Sequence, residues 1–317
     1  MKERNAAYDA IAGIMVSMAI LLHIGYASFS QNNILHYFGF FMIWFFYKAG
    51  MFQKPNPTFN KDFWIRIWKR LIVPFLVTGY FGFTIFALCT DMALGEYILT
   101  LWWPVGVAIQ GNGPSWFLIT FVIVRILFPI IVKYIKGNWL WCVVLFFFCL
   151  SIFLHYTGIT KKVTIMNTSM SMIFCTLGYL MKEKQYKNEV FIGSAIVYFI
   201  LCFGYPSEIN LSTTDVNYGN FIVSIFYNAA GILLINNLFT RYSVLQVQPL
   251  CHIGKNTMVY FLFHQPILHI MDMFHAEYGY DSVTDKALKL IAVITILPII
   301  DFIVHHPKLK MKWIVGE

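Results

Sequence analysis

The chain has 317 residues, of which 59% are hydrophobic and only 12% charged, and its mean hydropathy is +0.66. A soluble domain carries about 25% charged residues, so this chain cannot cover a water-facing surface, and the composition indicates a polytopic membrane protein. The net charge of +8 points to cytoplasmic loops rather than nucleic acid, because Lys and Arg gather at the ends of apolar runs.

The apolar runs lack the alternating ten-residue segments of a membrane barrel, so the expected fold is all-α. With about 20 residues per crossing, about ten spans are expected. They fall near 8–28, 34–52, 71–90, 115–133, 139–157, 165–182, 190–205, 219–239, 256–275 and 287–304. They form a single domain over 1–317. The six cysteines are scattered and mostly inside apolar runs, with no Cys-x-x-Cys and no metal spacing, and read as core residues.

The first span holds His23 in its outer half. An ionisable group inside a bilayer is costly to keep and marks a functional hypothesis. The simpler reading is a neutral histidine bonded to a neighbouring helix; the sharper one is a general base in a water-accessible cavity. Asp9 shares its helix face fourteen residues earlier, but about 21 Å away, so it does not hold His23 directly. It sits near the inner surface, where an anion suits a helix N-terminus.

The second span ends in "FFYKAGMF", with Lys48 near the cytoplasmic end and free to snorkel. "DFWIRIWKRLIVPF" follows. Arg66 and Arg70 are four apart and share a helix face, a forked anion site for phosphates or lipid headgroups, while Lys69 points elsewhere. Pro74 cannot donate to the carbonyl of Arg70 and should bend the chain there.

Charge places the short apolar stretch 97–110, broken by Pro104. If it does not cross, the basic segments all lie on one side with Lys2 and Arg4. The other side then receives Asp91, Glu96, "SEINLSTTDVNYG" and "HAEYGYDSVTD". Residues 91–114 are therefore expected as an outer-face or re-entrant segment, with both termini cytoplasmic. Further on, Arg125 lies mid-span and needs a partner, Asp272 and Asp301 being candidates. "IGKNTMVYFLFHQPILHIMD" places Asn256, Tyr260, His264, Gln265, His269 and Asp272 on one span, with Tyr260 and His264 on one face. His155 reads as interfacial.

Together these segments resemble the acyltransferase-3 family of integral-membrane acyltransferases, especially its sugar O-acetylase (fucose 4-O-acetylase-like) branch. The resemblance covers nearly the whole chain. It rests on Asp9 and His23 in the first span, "FFYKAGMF" ending the second, and Arg66-x-x-x-Arg70 with Pro74 before the third. It rests further on "SWFL" from Ser115 through Trp116 to Leu118, and on "IGKNTMVYFLFHQPIL" late in the chain. One departure stands out: many members carry an arginine eleven residues before the histidine, where this chain has Ala12. Lys48, near the inner face, is the residue expected to supply the missing charge.

The resemblance implies transfer of an acyl group, usually acetyl, from cytoplasmic acyl-CoA to a hydroxyl of an extracytoplasmic or lipid-linked glycan, in a bacterial cytoplasmic membrane. On that reading His23 is the general base, and Arg125, Tyr260 and Asn256 are candidate oxyanion donors. Arg66, Arg70 and Lys48, with Asp9 near them at the inner face, form the donor site, and His264, Gln265 and Trp116 are further site candidates. Acetyl-CoA is the expected donor substrate, with no metal and no nucleic-acid partner. The competing class is a secondary transporter, which would show inverted repeats and helices broken in matching halves; Pro74 marks one break without a counterpart.

Overall fold

The computed structural model describes residues 5–26, 34–90, 92–102, 109, 111–157, 163–204, 211 and 219–317. Lys2, Arg4, Asp91, Pro104 and most of "SEINLSTTDVNYG", used above for the sidedness argument, lie outside them. The described residues form helices and no strand. In chain order these are α1 (Ala6–Ile24), α2 (Ile34–Phe38), α3 (Phe41–Met51), α4 (Lys61–Ile67), a π-helical turn at Trp68–Ile72, α5 (Val73–Cys89), α6 (Leu94–Trp102) and α7 (Trp116–Tyr134). They continue with α8 (Leu140–Tyr156), α9 (Val163–Met181), α10 (Asn188–Gly204), α11 (Phe221–Arg241), α12 (Gln248–Lys255), α13 (Thr257–Tyr278) and α14 (Ser282–His305).

Among the described residues, six helical segments are long and apolar enough to cross a bilayer: Ala6–Ile24, Lys61–Cys89, Gly113–Tyr134, Gly137–Tyr156, Phe221–Arg241 and Ser282–His305. The expected second span, 34–52, is instead two short helices, α2 and α3, with the chain turning at Gly39 and Phe40. α9 and α13 reach 19 and 22 residues, but polar groups dilute them: Asn167, Thr168, Ser169, Ser171 and Thr176 in one, His264, His269 and Asp272 in the other. α6, of nine residues, rises only about 14 Å, too little for a crossing of about 30 Å.

Burial is arranged as for a molecule in lipid. Leu145, Phe146 and Phe153 on α8, Ile196, Ile200 and Phe203 on α10, and Ile291, Ile294 and Phe302 on α14 are exposed, while Asn112, Asn167, Asn228, Asn236, His264 and Asp301 are buried. In water such outward apolar faces would drive association. In a bilayer they are the solvated surface, and the polar groups are kept inside with partners.

The chain folds into two compact units. Unit 1 comprises 1–19, 27–58 and 123–255; unit 2 comprises 20–26, 59–122 and 256–317. In unit 1, small residues let backbones meet. A side chain on Gly50 would strike the carbonyl of Cys175, and one on Gly178 the carbonyl of Tyr47, so α3 and α9 pack at backbone distance. α1 and α12 meet in the same way at Gly13 against Leu250 and Gly254 against Asp9. A buried polar cluster ties the same unit: Trp44 Nε1 donates to Asn236 Oδ1 at 2.9 Å, while Tyr47 Oη and Asn236 Nδ2 donate to Gln185 Oε1 at 3.2 and 3.3 Å.

In unit 2, α5 and α13 run parallel, with Phe81 beside Phe263 and Phe86 beside His269. The segment around Asn112 is wedged between them. Pro266 has no N–H, which leaves the carbonyl of Leu262 without its helical donor. Asn112 Nδ2 supplies that bond at 3.2 Å and a second to Thr78 O at 3.0 Å. Gly79 and Gly82 on α5 make the room: a Cβ on Gly82 would lie 2.9 Å from Asn112 Cβ. Ser115 Oγ accepts from the Ile109 N–H at 3.2 Å, and His269 Nε2–H donates to Gly111 O at 2.8 Å.

Candidate active site

His23 closes α1, and α13 brings His264 to it within unit 2. His23 Nδ1 lies 2.7 Å from His264 Nε2. The ring centroids are 4.9 Å apart and the planes differ by 13°. Centroids so much further apart than the nearest nitrogens mean that the rings lie edge to edge in nearly one plane, the geometry of an N–H···N bond. On its other side His264 Nδ1 lies 3.2 Å from the carbonyl oxygen of Tyr260, one turn back on α13.

The proton positions follow from the partners. A carbonyl oxygen only accepts, so His264 Nδ1 carries hydrogen. Neutral His264 then offers a lone pair at Nε2, and His23 must donate from Nδ1. That leaves His23 Nε2 as an unprotonated, basic nitrogen, and it makes no hydrogen bond among the described residues. His23 is exposed, whereas His264 is wholly buried. A buried imidazole in a fixed tautomer thus orients an accessible one and stabilises it once protonated, because the Nδ1–H···Nε2 bond becomes charge-assisted.

Below this pair the same unit holds a polar column. Asp301 is buried. Its Oδ2 accepts from Asn256 Nδ2 at 2.9 Å and from Tyr260 Oη at 3.4 Å, and its Oδ1 lies 2.7 Å from His305 Nδ1. Tyr260 and Asn256, read from the sequence as oxyanion donors, therefore direct their protons to Asp301. Gln265 is half-buried beside His264 in sequence. Trp116 is buried at the start of α7, next to Phe117, which packs on Phe261.

Arg66 and Arg70 are both exposed, on α4 and in the π-turn that leads into α5. Where a bend was expected before Pro74 the helix carries a π-turn: the Val73 N–H bonds Trp68 O, five residues back. Arg70 lies eleven residues before Phe81, which sits level with Phe263, so the guanidinium end of unit 2 is about 16 Å below the histidine pair along α5.

In unit 1, Lys48 is half-buried. Its Nζ donates to Tyr8 O at 3.3 Å and stands 4.8 Å from the Trp44 ring centre. Tyr8 is one turn before Ala12 on α1, so a cation occupies the neighbourhood of the position where the resemblance led us to expect arginine. Asp9 is buried, its backbone pressed against Gly254. Arg125 is half-buried on α7. Of the acids considered for it, Asp272 lies 2.6 Å from Lys289 Nζ, and Asp301 takes part in the contacts given above.

The model of the acyltransferase domain of the acyltransferase-3 family matches residues 5–300. The chain belongs to that family. It is therefore a membrane acyltransferase by family, which sets the transporter reading aside. No curated protein and no solved structure matches the chain. In this acyltransferase the roles of Asn112, His269 and the Asp301–His305 contact were not foreseen. "GNGPS" signals a turn but not its docking on the carbonyl that Pro266 frees, and nothing local marks His305 as facing Asp301.

Proposed function

We propose that the protein is an O-acyltransferase that moves an acetyl group from cytoplasmic acetyl-CoA to a hydroxyl of an extracytoplasmic or lipid-linked glycan, in the cytoplasmic membrane of a bacterium. The observation that carries this reading is the 2.7 Å His23–His264 bond with His264 Nδ1 on the Tyr260 carbonyl, which leaves His23 Nε2 basic on an exposed ring.

His23 Nε2 takes the acceptor proton as the hydroxyl oxygen attacks the thioester carbon. The tetrahedral intermediate collapses, the C–S bond breaks, and the proton on Nε2 passes to the departing thiolate, giving ester and free thiol. General-base catalysis of this kind contributes about 10²–10⁴-fold. Arg66 and Arg70 hold the donor's phosphates at the inner end, and the pantetheine arm covers the rise to the histidine pair. Lys48 supplies an inner-face cation in place of the arginine absent at Ala12, and Lys48→Ala is expected to weaken acetyl-CoA binding; an unchanged affinity removes that role.

The test is mass spectrometry of envelope glycans from cells with and without the gene, paired with thiol release from acetyl-CoA by the purified protein. Acetyl esters that depend on the gene and on His23 support the proposal. Identical glycans together with no thiol release overturn it.

A further inference from the structure

Arg66 and Arg70 do not stand alone at their end of unit 2. After α14 the chain folds back into a short helical turn, Lys312–Val315, capped by Gly316 at φ +82°. A Cβ on Gly316 would lie 2.6 Å from Arg70 Cα and 2.8 Å from its carbonyl oxygen, so the turn rests on the backbone of Arg70 itself. The Glu317 N–H donates to Lys312 O at 3.1 Å, which brings Lys312 within a turn of that contact.

The segment is also pinned from above. Glu317 Oε2 lies 3.4 Å from His305 Nε2, and His305 Nδ1 lies against Asp301. Lys310 and Lys312 are exposed. Lys310 is the one non-glycine among the described residues with positive φ, at 49°. Such backbone is unfavourable for a residue with a Cβ and persists where the surrounding structure over-determines it, often at binding sites. Charge repulsion should keep lysines away from an arginine pair; here a glycine contact and an anchored turn bring the backbone of Lys312 close to that of Arg70, with Lys310 two residues before it.

We propose that these residues form a two-part phosphate clamp, with Arg66 and Arg70 holding the diphosphate of a coenzyme A thioester and Lys310 and Lys312 its 3′-phosphate. The proposal rests on the acyl-CoA reading above. The order follows from the donor's covalent structure. The pantetheine arm is attached to the diphosphate, so that group belongs at the arginines, which lead into α5 and the bundle. The 3′-phosphate hangs from the ribose, further from the thioester, and falls to the lysines. A planar guanidinium fork suits a diphosphate, and a compact ammonium suits a single terminal phosphate.

The test compares the affinity of acetyl-CoA with that of its 3′-dephospho analogue, using the full chain in nanodiscs of zwitterionic lipid only. Wild type should prefer acetyl-CoA. Lys310→Gln and Lys312→Gln should each weaken acetyl-CoA binding roughly 2- to 5-fold, as expected for exposed ion pairs, leave the dephospho analogue unchanged, and be rescued by Lys→Arg. An equal loss for both thioesters, or no loss for either, overturns the clamp. A wild type that binds neither thioester would instead refute the acyl-CoA reading and the clamp with it.

Discussion

Which nitrogen of His23 carries hydrogen decides whether it can act as a base toward a substrate, and His264 decides that. The Tyr260 carbonyl fixes His264, and His264 fixes His23. Replacing His264 with leucine removes the acceptor and frees the His23 tautomer. Loss of a hydrogen bond to a charged group costs about 1.5–3 kcal/mol, so kcat should fall roughly 10- to 150-fold with little change in acetyl-CoA affinity. His264→Gln, which offers an oxygen acceptor, should recover part of the loss; equal rates in the two variants would reduce His264 to packing. At this scale the sequence is informative about residue types and blind to long-range pairing. His23 stood out by being ionisable inside an apolar run, and the i, i+4 spacing correctly put Tyr260 and His264 on one face. Nothing local shows that His264 meets a residue 241 positions earlier, or that Tyr260 Oη turns toward Asp301.

Among the elements, proline and glycine carry most of the specification. Pro74 announces an irregularity, and the structure realises it as the π-turn Trp68–Ile72; the type of irregularity depends on packing that the sequence does not display. The contact of α3 with α9 depends on Gly50 and Gly178. Gly178→Ala places a methyl group against the Tyr47 carbonyl, and such overpacking costs about 1–3 kcal/mol. Thermal unfolding in detergent should show a lowered midpoint, whereas a surface glycine with open space, such as Gly193, should accept alanine without loss.

The start of α14 offers a pH-dependent check. Asp281 Oδ1 accepts from the Thr284 N–H at 2.6 Å, and the bonds from Thr284, side chain first and then backbone, hold its carboxyl below the usual carboxylate range. A lowered folded-state value means that the stabilisation is fully present above the unfolded value near 3.9 and is lost as pH falls through the folded value. Hydrogen exchange in the first turn of α14 should therefore be faster in Asp281→Ala than in wild type at neutral pH. The two should converge in acid; a difference that persists there would assign the effect to something other than the charge.

For the molecule as a whole, composition was enough to place the chain in a membrane, because outward faces such as Phe146, Phe199 and Phe302 leave nothing else for water-shy surface to meet. The number of crossings was less legible. Apolar length registers six segments, while helices that carry polar groups inward, such as α13 with His264, drop below that signal. The separation within unit 2 of guanidiniums at one end from imidazoles about 16 Å further along α5 depends on which residues α5 and α13 set side by side. Arg66→Ala and Arg70→Ala should raise the acetyl-CoA concentration needed for half-maximal rate and spare the acceptor's; titration of each substrate separately reads this.

The central claim is that His23 performs chemistry and does not bind donor. Single-turnover transfer from radiolabelled acetyl-CoA by His23→Gln in nanodiscs, run beside equilibrium binding of the same donor, tests it directly. The account predicts wild-type donor affinity with transfer reduced by at least about 100-fold; transfer at the wild-type rate would contradict it.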